Sequence, residues 1–301
     1  MSLRNKMKSS IADYWDNIQK SAEYIANAEK LLIGVGAGLT ASGGLNYADP
    51  SLAEKWYPEY FEQGKKSIIE IMSDFWPNTI NKENAVSFWG FWARHIWHIR
   101  YEPEALKPYL DLFSIANGKD YFICSTNVDS QLEKAGFDKN LIFAPQGDYA
   151  LFQCSKPCSQ DVYYNNKMIT TMLENMVSPF AIRYDDIPYC PKCGSYLMPN
   201  LRCDDTFVET LHIKNIDTYK TFIQNAFESK IVLLELGVGF NTPVIIRYPF
   251  EAITLQYPIA KLIRVNIAND TVSEKINNKT ILIQEDIGKV LADILSKPCL
   301  R

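Results

Sequence analysis

Six short runs of branched and apolar residues, at 30–35, 121–125, 141–144, 231–237, 261–267 and 280–284, recur along the chain with little polar interruption. Runs of this length and near-continuous apolarity predict strands buried on both faces. Around them the pattern changes to helical spacing, as over 10–28 and 287–295. Strands alternating with helices predict an α/β fold, a doubly wound, Rossmann-like parallel sheet with its ligand at the strand ends. Two stretches break the alternation. Residues 47–101, dense in Trp, Phe and Tyr, predict a helical insertion covering a cleft, and residues 154–203 hold five of the seven cysteines. The expected division is therefore a Rossmann-like domain over 1–150 and 206–301, and a small cysteine-rich, zinc-ribbon-like module over 151–205.

Composition narrows the classes. A chain of 301 residues that is 47% hydrophobic has enough apolar surface for a large core. A net charge of −4, with no run of five basic residues, argues against nucleic acid or an anionic membrane as principal partner. No stretch approaches the roughly 18 apolar residues of a membrane span. The polar start, Met1 to Ser10, lacks the apolar segment of a secretory signal. An odd cysteine count argues against a disulfide framework, and the expected compartment is the cytoplasm.

The first predicted strand runs into Gly36-Ala37-Gly38-Leu39-Thr40-Ala41-Ser42-Gly43-Gly44. Glycines allow a sharp turn and close approach to a pyrophosphate, and amides opening the next helix can receive its charge. A tight turn without a ligand is the alternative. The second strand ends at Thr126-Asn127-Val128-Asp129, where Asn127 and Asp129, two residues apart, face one side of the crevice. Such residues suit a ribose and a carboxamide; they also suit a turn. Farther on, Cys154 and Cys158 pair with Cys190 and Cys193 as candidate ligands of a structural four-thiolate zinc site. Reduced cysteines without metal are the alternative. Cys203 is a spare, and Cys124 and Cys299 have no expected role.

Taken in order, the glycine loop, Thr126-Asn127-Val128-Asp129 with Ala135-Gly136, Gln146-Gly147, the two Cys pairs, and Gly237 followed by Pro243 resemble the sirtuin family. The resemblance runs from about residue 20 to the end. Gln146-Gly147-Asp148-Tyr149 and the run Leu236-Gly237-Val238-Gly239-Phe240-Asn241-Thr242-Pro243 look like its macrodomain-linked, microbial branch. The resemblance implies NAD as a consumed co-substrate. Gly36, Ala37, Gly38 and Thr40 would line its pyrophosphate and ribose path, and Asn127 would order the nicotinamide ribose. Asp129 would bind the carboxamide, and Gly237 and Asn266 the adenosine half. Leu45, Val128, Val238 and Ile287 complete the implied cofactor set. The family's Pro-Asp-Phe-Arg run is replaced by Asn46-Tyr47-Ala48-Asp49, which makes Tyr47 the stand-in for the Phe over the nicotinamide pocket.

The larger departure is Gln146, where deacylating sirtuins carry a His that acts as general base. A glutamine amide forms hydrogen bonds but does not titrate near neutral pH, so a proton-transfer contribution of roughly 10²–10⁴-fold is lost. Cleavage of the nicotinamide–ribose bond survives on orientation and electrostatics. That favours mono-ADP-ribosyl transfer to a protein, with Asn127, Asp129 and Gln146 as the catalytic set. A deacylase, an NAD glycohydrolase and an NAD sensor without turnover are the alternatives. The resemblance further implies a lipoylated acceptor like the glycine cleavage H protein and a partner macrodomain hydrolase. Of the three histidines, His95 and His98 are expected as packed or half-exposed helix residues, and His212 has no expected role; none neighbours Gln146 along the chain.

Overall fold

The computed structural model describes residues 3–268 and 271–300; Met1, Ser2, Asn269, Asp270 and Arg301 of the expected Rossmann-like span lie outside them. Nine strands occur among the described residues: β1 (Lys30–Val35), β2 (Asp120–Ser125), β3 (Ile142–Phe143), β4 (Gly147–Cys154), β5 (Val162–Tyr164), β6 (Leu197–Leu201), β7 (Ile231–Leu236), β8 (Lys261–Asn266) and β9 (Thr280–Gln284). Six form a sheet in the order β3-β2-β1-β7-β8-β9, with every pairing parallel. Counting its own strands in chain order, this is the doubly wound order 3-2-1-4-5-6, whose direction reverses between β1 and β7. The α/β expectation is correct. The third expected strand is shorter than 141–144, because a 3₁₀ turn over Lys139–Leu141 takes its start and Pro145 follows closely.

Alternate residues of each strand serve opposite faces. Leu31, Ile33 and Val35 pack with the helices Leu3–Ala26, Lys107–Ala116 and Ile287–Leu295. Leu32, Phe122 and Leu233 pack on the other side against Phe222, Phe250 and Ile253. Both faces are therefore dry, which is why these strands read as continuous apolar runs.

The rest forms a second lobe. Helices Pro50–Trp56, Pro58–Glu62, Ile68–Ser73 and Ala85–Ile96, the last continuing into a π-helical turn, surround an aromatic interior. Asp49 caps the first of them by accepting from the Ser51 amide, and Pro50 sits where no intrahelical N–H is needed. The antiparallel sheet β5-β4-β6 completes the lobe and begins at Gly147, four residues before the expected module boundary. The insertion and the cysteine-rich stretch also share one core, with the Trp89 and Phe152 rings 4.6 Å apart. Gly90 lets the backbone at Phe180 approach the same helix, since a Cβ there would sit 2.3 Å from the Phe180 carbonyl oxygen. Two separately read stretches thus fold as one body. No described helix is long and apolar enough to cross a membrane.

Candidate active-site cleft

At the point where the strand order reverses, the turns after β1 and β7 touch backbone to backbone. Gly237 has φ +62, and a Cβ there would lie 2.5 Å from Gly38 Cα. A Cβ on Gly36 would lie 2.4 Å from the Gly237 oxygen. The Gly38 amide donates to that oxygen at 3.0 Å, and the Leu39 amide to Gly36 O at 3.1 Å. Two amides expected to face a pyrophosphate are thus engaged within the protein, while Ala37 lines the open cleft. Beneath the β7 turn, Arg264 pairs with Glu235 at 2.8 Å and with Glu251 at 2.9 Å. Arg247 donates to the Val238 carbonyl at 2.8 Å. This buried pairing holds the turn from behind.

Asn127 and Asp129, expected to face one side of the crevice, both bond Thr40. Asn127 Nδ2 donates to Gly36 O at 3.0 Å, to Thr40 Oγ1 at 3.1 Å and to the Tyr109 hydroxyl at 2.8 Å. Thr40 Oγ1 lies 2.6 Å from Tyr109 and donates to Asp129 Oδ2, also at 2.6 Å. Asp129 Oδ1 accepts from the Gln131 amide at 3.0 Å. Burial pushes the Asp129 carboxyl up, and the hydrogen bonds from Thr40 and Gln131 oppose that shift. The hydroxyls thus run in one direction, Asn127 to Tyr109 to Thr40 to Asp129. Tyr109 is absent from the sequence reading because it occupies an ordinary apolar position of its helix.

The cleft between the lobes has a volume of about 430 Å³. Ala37, Asn127, Val128 and Gln146 line it together with Val238, Gly239, Asn241 and Thr242, and Tyr47, Trp92 and Tyr149 form an aromatic wall. Other implied cofactor residues stand back from it. Thr40 and Asp129 form the layer behind Asn127, and Asn266 Nδ2 supports the Val238 carbonyl at 3.4 Å. Leu45 packs on the aromatic core, and the Ile287 side chain is buried beneath the large sheet, so only its backbone is open to a ligand role. Gln146 O accepts from the Arg202 amide at 2.9 Å, and Gly147 turns the chain at φ +114. Gln146, Arg202 and Thr242 also border a second, apolar groove of about 730 Å³.

One histidine comes closer than the sequence suggested. His95 is fully buried, with Nε2 3.1 Å from the hydroxyl of Tyr149, three residues beyond Gln146. Burial, with a smaller contribution from His98, lowers its pKa to about 3, so it is neutral. His98 stacks on Trp56 and pairs with Glu102, and His212 bonds Asn200.

The four expected cysteine sulfurs lie within 4.8 Å of one another, with Cys154–Cys193 at 3.5 Å and Cys158–Cys190 at 3.6 Å. Tetrahedral zinc with bonds of about 2.3 Å needs sulfurs about 3.8 Å apart, so this cluster fits the ion. Cys203 is not part of it and lines the cleft.

No protein-family model matches the chain. It is 29% identical over 276 residues to a protein ADP-ribosyltransferase of Staphylococcus aureus, covering 90% of this chain and 84% of that one. It is 25% identical over 294 residues to a "Probable bifunctional ADP-ribose hydrolase/ADP-ribosyltransferase" of Fusarium oxysporum f. sp. cubense, covering 93% of this chain but spanning about half (48%) of that relative. Among solved structures, a chain from work on the structural basis of sirtuin substrate affinity aligns with a TM-score of 0.59 at 15% identity, covering 93% of this chain and 98% of its own. A Sir2 homologue in complex with NAD aligns with a TM-score of 0.54 at 18% identity, over 92% of each chain.

Proposed function

We propose, from the premise that this chain is built on the sirtuin fold, that it is an NAD-dependent protein mono-ADP-ribosyltransferase. The observation that carries the reading is the pairing of the Asn127–Tyr109–Thr40–Asp129 hydrogen-bond chain with a non-titrating Gln146 on the same cleft. NAD lies with its adenosine half against Gly237, Val238 and Asn266. Its pyrophosphate passes Gly36, Ala37 and Gly38, and its nicotinamide riboside sits among Asn127, Val128 and Gln146. Asn127 fixes the ribose, Asp129, held by the Thr40 hydroxyl, binds the nicotinamide carboxamide, and Gln146 orients a ribose hydroxyl without removing its proton. As the glycosidic bond breaks, the electron pair leaves with nicotinamide, and an anionic nucleophile of the acceptor bonds the ribose carbon. The name of the Staphylococcus relative supports transfer to a protein, and that of the Fusarium relative supports a partner hydrolase, which we take to be a macrodomain protein.

For the acceptor we take a lipoylated carrier of the glycine cleavage H type, supported by the resemblance of Gln146-Gly147-Asp148-Tyr149 to the macrodomain-linked branch. The Rossmann-like portion, 1–150 with 206–301, holds the nucleotide, and residues 151–205 hold zinc on Cys154, Cys158, Cys190 and Cys193. A reduced thiolate site suits the cytoplasm. Intact-protein mass spectrometry of enzyme, NAD and a lipoylated carrier tests the reading. An added ADP-ribose on the carrier supports it; brisk NAD-dependent loss of acetyl from a peptide, with no adduct on the carrier, overturns it in favour of a deacylase.

A further inference from the structure

Four polar side chains outside the assigned catalytic set join end to end through the aromatic wall. Tyr57 OH lies 3.4 Å from His95 Nδ1, His95 Nε2 3.1 Å from Tyr149 OH, and the Tyr47 hydroxyl donates to Tyr149 at 3.5 Å. Tyr57 and His95 are inaccessible, whereas Tyr149 and Tyr47 border the cleft beside Asn127 and Gln146. The Trp92 indole N–H, the other polar group on this wall, is already given to the Phe75 carbonyl at 2.7 Å.

Hydrogen counting gives the chain a direction. A neutral imidazole has one donor and one acceptor nitrogen. The Tyr47 hydroxyl donates to the Tyr149 oxygen, which leaves the Tyr149 proton for Nε2, and a neutral imidazole that accepts there carries its own proton on Nδ1, toward Tyr57. The Tyr47 oxygen is left with lone pairs and no spare proton, so it is an acceptor toward the cleft. We infer that His95 and Tyr149 are positioning residues that hold the Tyr47 hydroxyl as a hydrogen-bond acceptor, and that Tyr47 thereby selects a ligand bearing an amide N–H at the reaction end of the cleft. Resting on the NAD reading above, this makes the nicotinamide carboxamide the group recognised. A protonated His95 would donate to Tyr149 and reverse the chain, and the depressed basicity of His95 prevents that over the working pH range.

The test compares nicotinamide with 3-acetylpyridine, a near-isostere without amide protons, by calorimetric titration of the full chain. Wild-type protein is expected to prefer nicotinamide. Tyr47→Phe is expected to cut that preference by about 3–10-fold, the worth of one net hydrogen bond. Tyr149→Phe is expected to cut it similarly, and the double variant no further than Tyr47→Phe alone, because Tyr149 acts through Tyr47. His95→Gln, which keeps an acceptor, is expected to retain the preference, and His95→Leu to follow Tyr149→Phe. A Tyr149→Phe protein with undiminished preference, or additive losses in the double variant, overturns the positioning role. Wild-type protein that binds neither probe overturns the NAD reading and the inference with it; equal binding of both probes overturns the inference alone.

Discussion

On the proposed reading, Gln146 provides an amide where ADP-ribosyl transfer needs orientation and withholds a base where deacylation needs one. Gln146→Ala is expected to bind NAD and to transfer ADP-ribose roughly 10–100-fold more slowly, the range of one lost orienting contact. Gln146→His restores a titratable group and is expected to gain at most a trace of deacylation, because Tyr47 stands in the cleft wall beside Asn127 and Gln146 where the resemblance implies a Phe; acetyl-peptide turnover measures this. Asn127 is more entangled than a surface ligand, since its amide has three partners within the protein. Asn127→Ala is therefore expected to cost about 1–3 kcal/mol of stability, and transfer is expected to fall far below what the remaining folded fraction allows. Activity that tracks the folded fraction would make Asn127 a purely structural residue. The place of Asn127 and Asp129 just past a strand end was legible because the apolar run and the two-residue spacing are local facts. Tyr109 and His95 were not: each sits at a helix position that periodicity assigns to the core, and only tertiary packing brings its polar atom to a partner 18 or 54 residues away.

At the scale of elements, the touching turns after β1 and β7 leave no room for a side chain. Gly237→Ala adds a Cβ 2.5 Å from Gly38 Cα at a left-handed backbone position, a conformation that costs about 1–2 kcal/mol without glycine. The turns are expected to separate and the KM for NAD to rise more than kcat falls; an unchanged KM would show that they do not hold the nucleotide. The cysteine pairs stand at the end of β4 with the turn after it and in the turn that precedes β6. Protein purified without chelator is expected to contain about one zinc per chain by elemental analysis, and Cys190→Ser is expected to lower the melting temperature before it alters transfer. The six strands were readable from apolar runs because both sheet faces are dry. That the insertion and the cysteine-rich stretch pack together was not legible, because they are distant in sequence and only tertiary contacts, such as Phe152 on β4 against Trp89 on its helix, join them in one core.

The molecule places its most acid-sensitive buried group in one lobe. His95 lies in the aromatic core of the second lobe, and the unfolded chain binds a proton there that the folded one refuses between an ordinary pKa of 6.5 and about 3. Because the unfolded state binds more protons in that window, the His95 contribution to stability is complete above pH 6.5. It declines as pH falls, by up to about 1.4 kcal/mol per pH unit. Thiolate ligands protonate in the same direction, so acid is also expected to weaken the proposed zinc site of that lobe. The large sheet has its buried charges paired, as Glu235 is with Arg264, and has no comparable buried histidine among its described residues. Acid is therefore expected to loosen the second lobe before the sheet. Five of the six tryptophans, Trp56, Trp76, Trp89, Trp92 and Trp97, lie in residues 47–101, so intrinsic fluorescence reports on that lobe, while far-ultraviolet circular dichroism follows the whole fold. Between pH 6.5 and 4 the fluorescence midpoint of urea unfolding is expected to move to lower denaturant than the circular dichroism midpoint. In His95→Gln, with zinc kept saturating, most of that shift is expected to vanish. Coincident midpoints at every pH would mean that the two lobes unfold as one unit and that the buried imidazole does not set their order.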